Sequence, residues 1–260
     1  MLRMDKVSKM RNKKKEKVIV VMPAYNAAKT LKKVYDDIPK SYVDEIILVD
    51  DCSKDNTIEV AKKLGLKVIA HKVNKGYGGN QKTCYKNALK QGASIIVMLH
   101  PDYQYDPKKI PEFVSQIKSG KADIVYGSRM LVKGGAKKGG MPRYKRIGNF
   151  LLTNFLNFTL GIKMTDGATG YIAYKSKVLN GVPFDYNSNG FTFDEEMIVQ
   201  CAMRGFRIAE IPIPTKYEDD SSSIDFYRSV KYGLRIFREV LKYKLNKYHL
   251  RNDPKFKMAF

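Results

Sequence analysis

The sequence is short of acid and of cysteine, and it has no long hydrophobic run. Only 26 Asp and Glu stand against 48 Lys and Arg in 260 residues, a formal charge of +22. The three cysteines, Cys52, Cys84 and Cys201, are odd in number, far apart and free of any C-x-x-C or His/Cys cluster. That excludes a disulfide-stapled miniprotein and predicts reduced, buried thiols in a cytoplasmic chain. No apolar run approaches the roughly 18–20 residues that span a bilayer. The charged residues 1–17 lack the apolar segment of a signal peptide, so a soluble or peripheral protein is expected. Internal repeats are missing as well. A composition 43% hydrophobic and 28% charged excludes disorder and collagen.

What is present is basic charge in three places. Residues 1–17 carry eight basic side chains against Asp5 and Glu16, a net +6, and predict a disordered tail. Residues 224–260 carry ten against Asp225, Glu239 and Asp253, a net +7. The run Lys133–Arg146 holds six (Lys133, Lys137, Lys138, Arg143, Lys145, Arg146) and no acid. Charge of this kind calls for an anionic partner: nucleic acid, an anionic membrane face or phosphate-bearing small molecules.

From Val18 short Val/Ile-rich runs alternate with amphipathic stretches. Val18–Met22, Glu45–Val49, Lys67–Ala70, Ser94–Leu99 and Asp123–Tyr126 read as strands buried on both faces. Helices are expected at about 27–38, 55–64, 80–91 and 107–118, then at Ile147–Leu160 and near 193–204, with a Gly/Lys loop at 133–140 and a strand at Arg207–Ile213. Such β–α alternation predicts a mostly parallel sheet flanked by helices, with ligands at the carboxyl ends of the strands. Residues 224–260 are read as a basic amphipathic helical tail.

The post-strand segments hold the chemistry. Asn74-Lys-Gly-Tyr-Gly-Gly-Asn80 precedes a helix, and its glycines either let amides approach a diphosphate or form an ordinary βα loop. It is not a G-x-G-x-x-G after the first strand, which disfavours a dinucleotide fold. Asp50, Asp51 and Ser53 either receive a nucleobase and ribose or cap a helix. His100-Pro-Asp102-Tyr-Gln104 offers a carboxylate and an amide as hard oxygen donors for Mg²⁺ or Mn²⁺. Asp194 is the candidate acid at the acceptor side, against a reading as a first-turn helix charge. His71 and His249 have no partner spacing and read as structural or exposed.

Taken in order, Pro23-Ala-Tyr-Asn26, Val49–Thr57, Asn74–Gly78, Asp102-Tyr-Gln104, Gly127-Ser-Arg129, Asp166–Tyr171, Phe193-Asp-Glu195 and Glu210–Pro214 closely resemble the motifs of family 2 glycosyltransferases of GT-A fold, most nearly the dolichyl-phosphate mannose synthase and polyprenyl-phosphate branch. The resemblance covers about 18–235 and implies a catalytic domain over 18–223, its nucleotide half about 18–104 and its acceptor half about 105–223. It implies that Pro23, Tyr25, Asn26, Asp50 and Asp51 hold the base and ribose of a GDP- or UDP-linked sugar, with Asn74, Gly76 and Gly78 beside them. Asp102 and Gln104 match metal and diphosphate contacts. Arg129 and a basic residue among Arg143, Lys145 and Arg146 match groups that neutralise phosphates. In three places the chain departs from the pattern: His100 replaces the first D-x-D carboxylate, Ala27 stands where many relatives have Glu, and Ile172 stands where Arg is common. A neutral His100 imidazole is still a ligand for Mn²⁺, and the phosphate contact of that arginine is either lost or supplied by another residue such as Lys175 or Lys216.

The expected activity is therefore inverting transfer of a hexosyl or N-acetylhexosaminyl group to polyprenyl or dolichyl phosphate, peripheral on the cytoplasmic face of a membrane. The basic amphipathic stretch Ile224–Leu250 and the apolar stretch Ile147–Leu160 suit an anionic membrane surface; the terminal charge equally suits a membrane-anchored partner subunit. A polysaccharide or glycan acceptor is the rival reading. A nucleic-acid-binding protein on a degenerate enzyme fold is the more distant one, and no nucleic acid is expected.

Overall fold

The structure, a computed structural model, describes residues 15–214 and 226–256, with side chains of the second stretch from Gly233 onward. Lys216, Tyr217, Ser221–Ser223 and most of the amino-terminal tail lie outside the described residues. In chain order the elements are β1 (Val18–Ala24), α1 (Ala28–Asp37), β2 (Glu45–Asp50), α2 (Thr57–Lys63), β3 (Lys67–Ala70), α3 (Tyr77–Lys90), β4 (Ile95–Met98), α4 (Ile110–Lys118), β5 (Ile124–Ser128), α5 (Gly135–Lys138), α6 (Arg143–Leu160), β6 (Ile172–Lys175), α7 (Ser176–Gly181), α8 (Phe193–Met203), β7 (Ile208–Pro212) and α9 (Phe226–Lys247).

The strands form one sheet in the order β3-β2-β1-β4-β6-β5-β7, and β6 alone runs antiparallel to its neighbours. Along β1 the period of two sends Val18, Val20 and Met22 to one face and Ile19 and Val21 to the other, all buried. The first face packs on Leu31 and Val34 of α1, Ala61 of α2 and Phe113 of α4. The second packs on Cys84 and Tyr85 of α3, Leu156 of α6, Phe193 and Ile198 of α8 and Ile236 and Val240 of α9. Because β1 pairs with β2 on one side and β4 on the other, the strand order reverses between β1 and β4. A crevice forms at such a reversal, here between the ends that carry Tyr25 and His100.

Several expectations change. β3 is an edge strand, so Lys67 and Ala70 are exposed rather than buried on both faces. Within 133–140, Gly135–Lys138 closes one helical turn, α5. Helix α6 starts at Arg143, directly after Pro142, and so draws Arg143, Lys145 and Arg146 into its first turn. Cys84 and Cys201 are buried as expected, but Cys52 is exposed, held at φ +65° on the loop after β2.

The two apolar helices turn apolar side chains outward. In α6 the polar Asn149 and Thr153 are buried, while Ile147, Phe150, Leu151 and Phe158 face outward, Phe158 being 92% exposed. The sequence of α9 carries an apolar stripe at Tyr227, Val230, Leu234, Phe237, Leu241 and Leu245; Leu234, Phe237 and Leu241 are exposed, Leu245 is half-buried, and the side chains of Tyr227 and Val230 lie outside those described. Ile236 and Val240 make the inner face instead. Phe155 and Phe237 join the two helices, ring centroids 5.5 Å apart.

Candidate active site

The crevice wall is built by side chains that serve the backbone. Asp50 is sealed from solvent, its carboxylate accepting from the N–H (2.9 Å) and hydroxyl of Ser53. Asp51 accepts from the amides of Lys75 (2.8 Å) and Gly76 (2.9 Å), and its Oδ1 lies 2.7 Å from Nδ1 of buried His71, whose Nε2 meets Thr83 Oγ1 at 2.9 Å. His71 thus has a partner after all, one that spacing along the chain did not show. Asn26 (φ +52°) donates its N–H to Ser53 Oγ and accepts at Oδ1 from Lys54 N–H. Pro23 lies inside buried β1, Asn74 donates to Asp51 C=O, and Tyr25 is exposed.

The glycines of 74–80 make room for another segment of the chain. A Cβ on Gly76 would lie 2.7 Å from Asn189 O, and one on Gly78 would lie 2.4 Å from Ser188 O. The Asn189 carbonyl caps α3 by accepting from Gly78 N–H (2.8 Å) and Gly79 N–H (3.3 Å). These amides are therefore satisfied by protein rather than aimed at a diphosphate, and the loop forms a wall.

At the end of β4, Asp102 accepts the Gln104 N–H (3.0 Å) on one carboxylate oxygen. The His100 ring stacks on Tyr77, centroids 5.4 Å apart, with Nε2 3.3 Å from the Tyr77 hydroxyl. That hydroxyl donates to Asp194 Oδ2 (2.6 Å). With its proton given to Asp194, the hydroxyl receives from a protonated Nε2, which leaves the lone pair of His100 on Nδ1. Burial pushes the His100 pKa down, so the ring is neutral at pH 7. Gly170 packs against both rings; a Cβ there would meet His100 Nε2 at 2.9 Å. Sequence reasoning passed over Tyr77, although its place between the two glycines was a signal.

Asp194 sits in the first turn of α8, the position its reading as a helix charge gives it. Burial pushes its pKa up to about 7 despite the Tyr77 hydrogen bond, and Oδ1 is buried without a hydrogen-bond partner among the described residues. A carboxyl raised on folding costs stability as pH rises from its unfolded value, 3.8, to its folded one. Relative to Asp194→Asn, the wild type is expected to lose on the order of 3–4 kcal/mol between pH 4 and pH 7 and nothing further above pH 8. Denaturant titrations of both proteins across that range measure it, and parallel stability curves would refute the shift.

Arg129, expected at the phosphates, is 5% exposed and forked onto Asp166: Nε to Oδ2 2.7 Å, Nη2 to Oδ1 2.8 Å. Burial alone would raise Asp166, but Arg129 outweighs it and holds the carboxyl below its ordinary value. Glu210 on β7 accepts the amides of Thr165 and Asp166, which fixes the same turn. Asn149 of α6 donates to Asp166 Oδ1 (2.9 Å), which brings α6 beside this ion pair, and burial, with repulsion from Arg129, lowers Lys145. The first turn of α6 has Arg143, Lys145 and Arg146 and no acid, and the helix dipole adds to its attraction for an anion. Ile172 is buried in β6 opposite Met98, and Lys175 pairs with Ile95 at the far end of β4. Lys175 is therefore about 10 Å along the strand from the crevice and cannot replace the missing arginine there.

Among the described residues no three His, Cys, Asp or Glu side chains gather to hold a metal ion. Of the residues expected to hold a divalent cation, Asp102 is the one carboxylate, and a cation there would draw most of its ligands from phosphate and water.

The glycosyl transferase family 2 sequence profile matches residues 19–182. A UDP-N-acetylglucosamine–dolichyl-phosphate N-acetylglucosaminyltransferase of Methanococcus voltae is 31% identical over 248 residues, 88% of this chain and 97% of the relative. A dolichyl-phosphate hexose transferase of Haloferax volcanii is 30% identical over 225 residues, 86% of this chain and 92% of the relative. In fold, the chain is similar to glucosyl-3-phosphoglycerate synthase from Mycobacterium tuberculosis in complex with UDP, with a TM-score of 0.69 at 19% identity over 87% of this chain and 79% of that one. The same enzyme with Mn²⁺, UDP and product gives 0.64 at 18% identity over the same shares. By its profile, its relatives and its sheet, this chain belongs to glycosyl transferase family 2.

Proposed function

We propose that the protein transfers a hexosyl or N-acetylhexosaminyl group from a GDP- or UDP-linked sugar to a polyprenyl phosphate of dolichyl type, on the cytoplasmic face of a membrane. The observation that carries this reading is α6: it lies beside the Arg129–Asp166 pair, its first turn is basic, and its outward face is Ile147, Phe150, Leu151 and Phe158. Each such side chain yields roughly 1.5–3 kcal/mol on leaving water. An exposed apolar face beside a cationic turn suits a ligand with an apolar tail and a phosphate head. Leu234, Phe237 and Leu241 of α9, with Arg235 and Arg238 between them, extend the face. The names of the two archaeal relatives, both dolichyl-phosphate transferases, agree with it.

The chemistry asks little of a base. A phosphate acceptor is already an anion at neutral pH, so its oxygen attacks the anomeric carbon while the bond to the nucleoside diphosphate breaks on the opposite side, inverting the centre. What must be supplied is positive charge for two phosphates. Arg143, Lys145 and Arg146 provide it at the acceptor, and Asp166 keeps the Arg129 guanidinium fixed behind them. Mg²⁺ or Mn²⁺ at Asp102 would stabilise the charge on the departing diphosphate.

Incubation with labelled nucleotide sugars and a short polyprenyl phosphate is expected to put label into the organic extract, and the protein should float with protein-free anionic vesicles. Label confined to the aqueous phase would overturn the lipid acceptor in favour of a glycan. Flotation that needs added membrane proteins would replace the lipid surface by a membrane-anchored subunit.

A further inference from the structure

Lys255 lies beyond α9 and is 7% exposed. Its Nζ donates to Glu196 Oε2 on α8 (3.0 Å) and to Glu239 Oε2 on α9 (2.9 Å). Its carbonyl accepts from Gln200 Nε2 (3.2 Å), and Phe256 beside it is buried against Tyr243, centroids 6.0 Å apart. The ammonium is thus locked between two helices, one of them bearing the outward apolar stripe.

The link continues inward. Glu196 Oε2 also accepts the Ser188 N–H (2.7 Å), and Oε1 accepts the Thr192 hydroxyl (3.2 Å). The next carbonyl along, that of Asn189, caps α3 through the amides of Gly78 and Gly79. Lys82 Nζ braces the same segment by donating to Asn189 Oδ1 (2.8 Å) and to Asn187 C=O. Glu196 is two residues from Asp194 in the same helical turn. A path of hydrogen bonds and one short covalent step, from Ser188 to Asn189, therefore runs from Glu239 on α9 to the 74–79 loop.

We propose that Lys255 is a positioning residue: by bridging Glu239 of α9 and Glu196 of α8 it holds the Ser188–Gly190 segment against the 74–79 loop, so that the seating of α9 is felt at the nucleotide crevice. The inference rests on the reading of that loop as the nucleotide wall. An ion pair that merely stabilised the core would loosen every element alike. A positioning role loosens one path.

The test is amide hydrogen exchange on the full chain, comparing wild type, Lys255→Met and Lys255→Arg. In Lys255→Met the amides of Ser188, Gly78 and Gly79 should exchange about tenfold faster, while those of β1 and β4 stay within about twofold. Lys255→Arg should restore them, and calorimetry with UDP or GDP should show Kd about tenfold weaker in the Met variant alone. Uniform acceleration throughout the sheet, or acceleration confined to residues 239–256, would overturn the proposal. Should Lys255→Met not fold, Glu239→Gln keeps the Lys255–Glu196 pair and cuts only the α9 end; unchanged exchange at Ser188 and Gly78 in it would overturn the proposal equally. A local exchange response with unchanged nucleotide binding would sustain the coupling and overturn the reading of the loop as nucleotide wall.

Discussion

Asp102→Ala is expected to lower kcat/KM for sugar transfer by about 10²–10³, the range found when one group that stabilises developing charge is removed. The fold should not suffer. Asp102 is half-buried at the mouth of the crevice and makes one hydrogen bond, to the Gln104 amide. Its second carboxylate oxygen has no protein partner among the described residues, which suits an outward ligand. The melting temperature should therefore stay within about 2 °C of wild type, a shift worth less than about 1 kcal/mol. Mn²⁺ titration followed by electron spin resonance in the presence of UDP gives a second readout, with weaker binding in Asp102→Ala. His100→Asp should move the other way by adding a second hard oxygen donor. Activity of Asp102→Ala within tenfold of wild type at saturating donor and metal would remove this residue from the site.

The largest stability loss is expected at Asp166. Its carboxylate takes the Arg129 fork, the Arg129 N–H (3.0 Å) and Asn149 Nδ2 (2.9 Å), and it is wholly buried. Asp166→Ala takes from the buried guanidinium the carboxylate that forks it, and breaking a buried pair costs about 3–5 kcal/mol. For a chain of this size that is roughly a 10 °C fall in melting temperature. Chemical denaturation of the two proteins measures it directly. A loss below about 1 kcal/mol would mean that Arg129 finds another partner and is free to swing toward a phosphate.

The nucleotide half was readable because its signals are local. Strands β1 to β5 are Val/Ile runs bounded by turns, and each crevice segment follows a strand directly. What escaped the sequence joins residues far apart in it. The Tyr77–Asp194 hydrogen bond spans 117 positions, and the Lys255–Glu196 pair spans 59. The roles of Asp50 and Asp51 were left open between ligand contact and capping; both turn out to hold backbone amides. The glycines of 74–80 leave two readings open in the sequence, approach to a diphosphate or an ordinary βα loop, and what approaches them in the fold is the 188–190 segment. The apolar stripe of α9 is visible in the sequence, but the way it faces is not: Ile236 and Val240 compete with it for the core, and the positions of α6 and α8 decide between them.

The inserted antiparallel strand has a consequence for synthesis on the ribosome. When residues up to Ser128 have emerged, β1 to β4 can pair as a parallel unit, but the outer edge of β4 has no partner until β6 follows at Ile172. β5 waits just as long, since both of its neighbours, β6 and β7, come later in the chain. At about 5–20 residues per second, Met98 and Ile172 emerge several seconds apart, and for that interval a bare Ile-Ile-Val-Met edge is open to other nascent chains. Chaperone demand during expression should accordingly be set by the 74 positions between Met98 and Ile172 rather than by the stability of the finished sheet.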